Sequence, residues 1–146
     1  MLSLSEIAAN LEQGTNGIWL ARNVSEVSYP GEGHASCLAV EEASFWFRHR
    51  NNCILEVIKR LPPATPFFDV GGGNGYVAKA LQDAGLEVVV VEPGATGALN
   101  ARRRGVQHVI RASLEDAGSQ RAWAAPRTEW QKCSARASSK KRPTRT

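Results

Sequence analysis

Asp69, Gly71, Gly73 and Gly75 carry the clearest chemistry in the chain, within the run Phe67-Phe68-Asp69-Val70-Gly71-Gly72-Gly73-Asn74-Gly75. Glycines at alternating positions allow backbone angles that a Cβ forbids, and they let a ligand approach the main chain closely. A helix beginning near Asn74 or Gly75 turns unpaired N–H groups and a positive dipole end towards a carboxylate or phosphate. Glu92 follows 17 residues after Gly75, at the end of the next apolar run. A carboxylate there accepts hydrogen bonds from both hydroxyls of a ribose. The glycines alone are a weak signal; together with Glu92 they specify an adenosine-type ligand. The bland alternative is a tight turn, with Glu92 capping the helix that follows it.

Two cofactor classes use this arrangement. The dinucleotide fingerprint can be laid on Gly73-x-Gly75-x-x-Ala78, so an NAD(P)-dependent oxidoreductase is one alternative. Asp69 opposes it, because a negative charge immediately before the loop faces a pyrophosphate unfavourably and suits an ammonium group. The helical segment ahead of the first strand is also more than a dinucleotide domain requires.

The elements around these residues are legible from periodicity. Phe67 to Val70 reads as a short strand. Val77, Ala78, Leu81 and Ala84 are spaced as one face of a helix, closed by Gly85. Leu86 to Val91 is an apolar β-branched run of the kind buried on both faces of a parallel sheet. A second helix runs from after Gly94 to about Arg104, stopped by Gly105, and Val106 to Ile110 reads as a third strand. The order β-α-β-α-β predicts an α/β fold with right-handed crossovers and a doubly wound parallel sheet. Upstream, Phe45, His49, Cys53, Ile54, Val57, Ile58 and Leu61 recur at helical spacing until Pro62-Pro63. Ser3 to Gln13 predicts a short amphipathic helix, Thr15-Asn16-Gly17 a turn, Ile18 to Val24 an extended stretch, and Ser28 to Gly33 a loop.

Phe68-Asp69-Val70-Gly71-Gly72-Gly73-Asn74-Gly75 resembles the first motif of class I S-adenosylmethionine-dependent methyltransferases, and Val91-Glu92-Pro93 resembles their second-strand acidic motif. Glu42-Ala43-Ser44-Phe45-Trp46-Phe47-Arg48-His49-Arg50-Asn51 is similar to the aromatic helix preceding the first strand in a bacterial-type branch of that superfamily. The resemblance covers roughly residues 28 to 116. It implies a Rossmann-like fold and S-adenosyl-L-methionine as cofactor. Gly71, Gly73 and Gly75 would line the methionine and ribose, Asp69 would lie near the amino group, and Glu92 would hold the ribose hydroxyls. Ser113, Leu114 and Glu115 fall where the family contacts adenine. Phe45, Trp46, Arg50 and Asn51 would close over the methionine end, although core packing is the leading reading for each aromatic. The implied reaction is in-line transfer of the sulfonium methyl, which needs position and water exclusion rather than a protein nucleophile. The methyl acceptor and the catalytic residues are left unassigned.

Composition bounds the rest. Cys37, Cys53 and Cys133 are odd in number and widely spaced, as in a reducing compartment, and no metal site is expected. No apolar run approaches the roughly 20 residues of a membrane span, and a cytoplasmic location is expected. Residues 1 to 118 hold 10 Lys and Arg against 13 Asp and Glu, whereas residues 119 to 146 hold 8 against 1. The expected organisation is an N-terminal helical or cap segment (1–64), a partial cofactor-binding domain (65–116) and a basic, disordered tail (117–146). The family's sheet has seven strands and only three are placed here. The abrupt change in pattern predicts a chain truncated or read out of frame from near residue 117, with an inactive enzyme, a non-catalytic remnant or a binding module as the alternatives. A tail evolved to bind nucleic acid is the competing reading. An incomplete sheet is expected to leave the outer edge of the third strand uncovered, inviting oligomerisation and poor solubility.

Overall fold

The computed structural model describes residues 4, 10–23, 31–63 and 66–117. Their five strands form one sheet: β1 (Leu11–Gln13), β2 (Trp19–Ala21), β3 (Phe67–Val70), β4 (Val88–Val91) and β5 (His108–Arg111). The spatial order is β1-β2-β5-β4-β3. Four helices lie among the described residues, α1 (Gly31–Glu41), α2 (Phe45–Arg60), α3 (Tyr76–Asp83) and α4 (Ala95–Arg103). Every strand pairing is parallel except that of β1 with β2. The protein is therefore α/β with a mostly parallel sheet.

The four valines of β4 explain why this sheet forms. Each is at most 1% exposed, and because side chains alternate across a strand they feed two different layers. Val88 and Val90 join Ala78 and Leu81 of α3, Ala98 and Ala101 of α4, and the partly buried Ile54, Leu55 and Ile58 of α2. Val89 and Val91 face the other way, onto Leu4, Leu11, Ala21, Ala112 and Ala117. Strands β3 and β4 pair in register from Phe67 with Val88 to Val70 with Val91. The glycine loop and Glu92 therefore leave the sheet side by side at its carboxyl end.

Three expectations change. Leu11 to Gln13 form a strand rather than the end of a helix. The main chain turns back through Gly14, whose N–H donates to the Ile18 carbonyl at 2.8 Å, so Leu11 to Gln13 pair with Trp19 to Ala21, and Leu11 enters the core from the sheet. Pairing overrides a weak local period here; residues 3 and 5–9 of the expected helix lie outside the described residues. Gly31 to Gly33 belong to the first turn of α1 rather than to a loop, because α1 packs on α4 through buried polar side chains that no apolar period announces. Finally, the third strand of the parallel unit, β5, is not an edge. Trp19 and Leu20 of β2 pair with Ile110 and Arg111, and among the described residues β3, like β1, is paired on one side only. The expected tail falls almost wholly on residues 118–146, outside the described residues.

Candidate functional site

Gly71, Gly72 and Gly73 form one wall of a cavity of about 430 Å³, opposite His34, Cys37 and Glu41 of α1, with Glu92 and Pro93 behind them. The loop is anchored at its start by the Gly71 N–H donating to the Val91 carbonyl at 2.8 Å. Gly71 and Gly73 have φ of 71° and 52°. A Cβ on Gly71 would meet nothing within 4 Å, and one on Gly73 would meet only the His34 ring at 3.8 Å. Both positions therefore open towards the cavity, as close ligand approach requires.

Gly75 has a different role. It also has a positive φ, 72°, and it precedes the first residue of α3, but a Cβ there would lie 2.8 Å from the Ala101 Cβ and 3.1 Å from Val106. It is buried against α4, and the close approach it permits is that of helix to helix.

Glu92 is buried at the end of β4, and its carboxylate binds the main chain on both sides. Oε2 accepts the Gly73 N–H at 2.8 Å, and Oε1 accepts the Gly94 N–H at 2.7 Å. Gly94 is the N-cap of α4, so the capping role and the site role of Glu92 coexist: one oxygen closes the helix N-terminus, where a negative charge is favoured, and the other ties down the glycine loop. His34 Nε2 lies 3.6 Å from Oε1.

A buried polar network holds α1 against the loop. Asn74 Nδ2 donates to the His34 carbonyl (2.8 Å) and to Glu41 Oε1 (3.1 Å), while Asn74 Oδ1 accepts from Asn100 Nδ2 at 2.9 Å. Arg104 Nη1 donates to Glu41 Oε2 at 2.7 Å, and its guanidinium lies over the Tyr76 ring. Sequence reasoning missed His34, Glu41, Asn100 and Arg104 as parts of the site. Only their later pairing reveals them, since each sits in a segment with no motif of its own.

Asp69 lies under the loop rather than in the cavity wall. Its Oδ2 is against Gly72, buried and without a hydrogen-bond partner among the described residues. Burial holds this carboxyl above its ordinary pKa. The Ala78 backbone N–H and the Arg50 guanidinium offset the rise in part, and the Glu92 charge adds to it. Ser113 and Leu114 are not in the cavity wall. The Ser113 hydroxyl donates to Asp116 Oδ2 at 2.8 Å and accepts the Asp116 N–H at 3.0 Å, closing a turn after β5, and Leu114 projects into solvent beside it.

The mouth of the cavity is built by α2. Phe47 and Arg50 line it with Tyr76, the Phe47 ring standing edge-on to Tyr76. Phe45 and Trp46, expected in the core, are 74% and 58% exposed. Phe45 stacks on His49, and the Arg50 guanidinium lies 5.3 Å from the Trp46 ring centre. Three consecutive aromatics span more arc than one helix face can bury, and only Phe47 points inward. Asn51 is buried and donates to the Tyr76 carbonyl at 3.2 Å, fixing α2 to the start of α3. His49 Nε2 and Cys53 Sγ are 3.7 Å apart, but among the described residues no group of three or more His, Cys, Asp or Glu could hold a metal ion. Among the same residues no helix is long and apolar enough to cross a membrane.

Compared with known proteins, the chain matches no protein-family model and no curated protein.

Proposed function

We propose that the chain carries the cofactor site of an S-adenosylmethionine-dependent methyltransferase on a Rossmann-like, doubly wound framework. The carrying observation is the convergence of Gly71, Gly73 and Glu92 on one cavity, with the Glu92 carboxylate 2.8 Å from the Gly73 N–H. The donor set suits the ligand at its methionine end. Gly71 leaves room for a chain to lie along the loop. Asp69 Oδ2, without a hydrogen-bond partner among the described residues, supplies negative charge beneath the loop for an ammonium group. Arg50, at the mouth, supplies positive charge for a carboxylate. Glu92 is the acceptor for ribose hydroxyls.

When bound, S-adenosylmethionine supplies an activated methyl group. The residues of this chain bind and orient: Arg50 holds the carboxylate of the amino-acid end, the Asp69 charge beneath the loop favours its ammonium group, Gly71 and Gly73 set its distance from the main chain, and Phe47 and Tyr76 exclude water from the mouth. No residue is assigned to proton transfer, and the acceptor is unassigned.

Calorimetric titration with S-adenosylhomocysteine and, separately, with NAD tests the reading. Saturable binding of the first, lost in a folded Gly73→Val variant, is expected. Binding of NAD without S-adenosylhomocysteine would transfer the site to the oxidoreductase class.

A further inference from the structure

Resting on the adenosyl-cofactor reading above, we propose that the mouth of this site docks single-stranded nucleic acid. A base stacks on the exposed rings of Phe45 and Trp46, phosphates meet the basic groups around them, and a nucleobase is the methyl acceptor.

The two rings stand next to the cavity. Phe47 and Arg50 line it, and Phe45 and Trp46 occupy the start of α2 just before them, 74% and 58% exposed. Each ring already forms one layer of a stack. The His49 imidazole lies nearly parallel to Phe45, with 11° between the planes and 5.5 Å between the centres, and the Arg50 guanidinium lies over Trp46. A planar base extends such stacks, because every base offers a π-face. A lipid surface needs a contiguous apolar face instead, and here the exposed Arg48, His49, Arg50 and Asn52 follow the rings along α2.

Charge selects the same partner. Between Glu42 and Glu56 there is no acidic residue, while Arg48, His49 and Arg50 fall within that stretch. Strands β3, β4 and β5 are parallel, so the turn from Ser113 to Asp116 follows β5 at the same end of the sheet as the glycine loop. Residues 119 to 146, which continue from there, hold 8 Lys and Arg against 1 acidic residue. A polyanion held by a segment that starts at this end is kept at high local concentration near the mouth. Arg50 stays with the cofactor carboxylate, which leaves Arg48 and the basic segment for the phosphates. In the transfer, a base nitrogen forms its bond to the methyl carbon as the sulfonium C–S bond breaks. The electron pair stays on sulfur as a thioether, and the proton of the base passes to water.

Fluorescence anisotropy of the full chain tests this with a labelled single strand of DNA, the same strand in RNA and the DNA duplex, each over a range of salt concentrations. At least one single strand should bind about tenfold or more tightly than the duplex, and the tighter of the two names the sugar. Phe45→Ala/Trp46→Ala should lose about tenfold or more of that affinity, with its salt dependence and its calorimetric affinity for S-adenosylhomocysteine unchanged. Both rings are exposed and neither lines the cavity, so this variant keeps its core. Lys140→Gln/Lys141→Gln/Arg142→Gln should instead lower the salt slope by about 2. Equal affinity for duplex and single strands, or ring substitutions that leave binding unchanged, overturns the docking surface and leaves the cofactor reading standing. Ring-dependent binding to anionic phospholipid vesicles, with no binding to either single strand, overturns it in favour of a membrane surface. A folded parent that takes a single strand but no S-adenosylhomocysteine overturns the cofactor reading and the acceptor role with it.

Discussion

Under the proposed cofactor reading, Asp69 serves the site at the expense of the fold. Burial raises its carboxyl pKa, so the folded chain holds this proton more tightly than the unfolded chain does. Stability therefore falls as pH rises from the ordinary carboxylate value of about 3.9 through the raised value, and it stays lowered above. Asp69→Asn should melt at a higher temperature than the parent at pH 7, with the gap closing below about pH 4, and should bind S-adenosylhomocysteine about tenfold or more weakly through loss of a charged partner. The glycines divide in the same way. Gly75→Ala forces a side chain into positive φ and onto Ala101, and is expected to cost about 2–4 kcal/mol in urea unfolding. Gly71→Ala meets open space, and should cost about 1–2 kcal/mol. The alternating glycines were legible as a turn and a cradle. Which of them faces the cavity was not, because Gly75 is decided by Ala101 and Val106, which lie far along the chain.

At the scale of elements, β3, α3, β4, α4 and β5 could be read within a few residues because their buried faces are apolar and periodic. Helix α1 could not, since the residues it buries are His34 and Glu41 and its partners are amide and guanidinium groups. Such a face follows hydrogen-bond geometry, which leaves no hydrophobic period. The hub of that contact is Asn74, which serves His34, Glu41 and Asn100 together. Asn74→Ala leaves three buried polar groups on two helices without this partner and should destabilise the chain by about 2–4 kcal/mol, measured by urea denaturation. A loss under 1 kcal/mol, at the level of an ordinary surface substitution, would show that α1 is held by something other than this network.

Across the molecule, the N-terminal hairpin changes the account of the sheet. Because β2 covers β5, the strand paired on one side only beside the site, among the described residues, is β3, the one that delivers the glycine loop. Its last residue, Val70, is 50% exposed. An edge of this kind templates pairing with another chain, and a lysine on it discourages that pairing. Val70→Lys should lower the average mass of the chain in sedimentation at high concentration. The sequence pattern could not assign this edge, since the hairpin's strands are three residues each and their partner lies some ninety positions away. If Gly71, Gly73 and Glu92 form the adenosyl-cofactor site proposed above, amide NMR of the labelled chain during addition of S-adenosylhomocysteine reads it most directly. Saturable shifts centred on Gly71, Gly73 and Asn74, spreading to Glu92 and His34, are the predicted result; a folded chain whose loop amides stay unmoved at saturating ligand would contradict it.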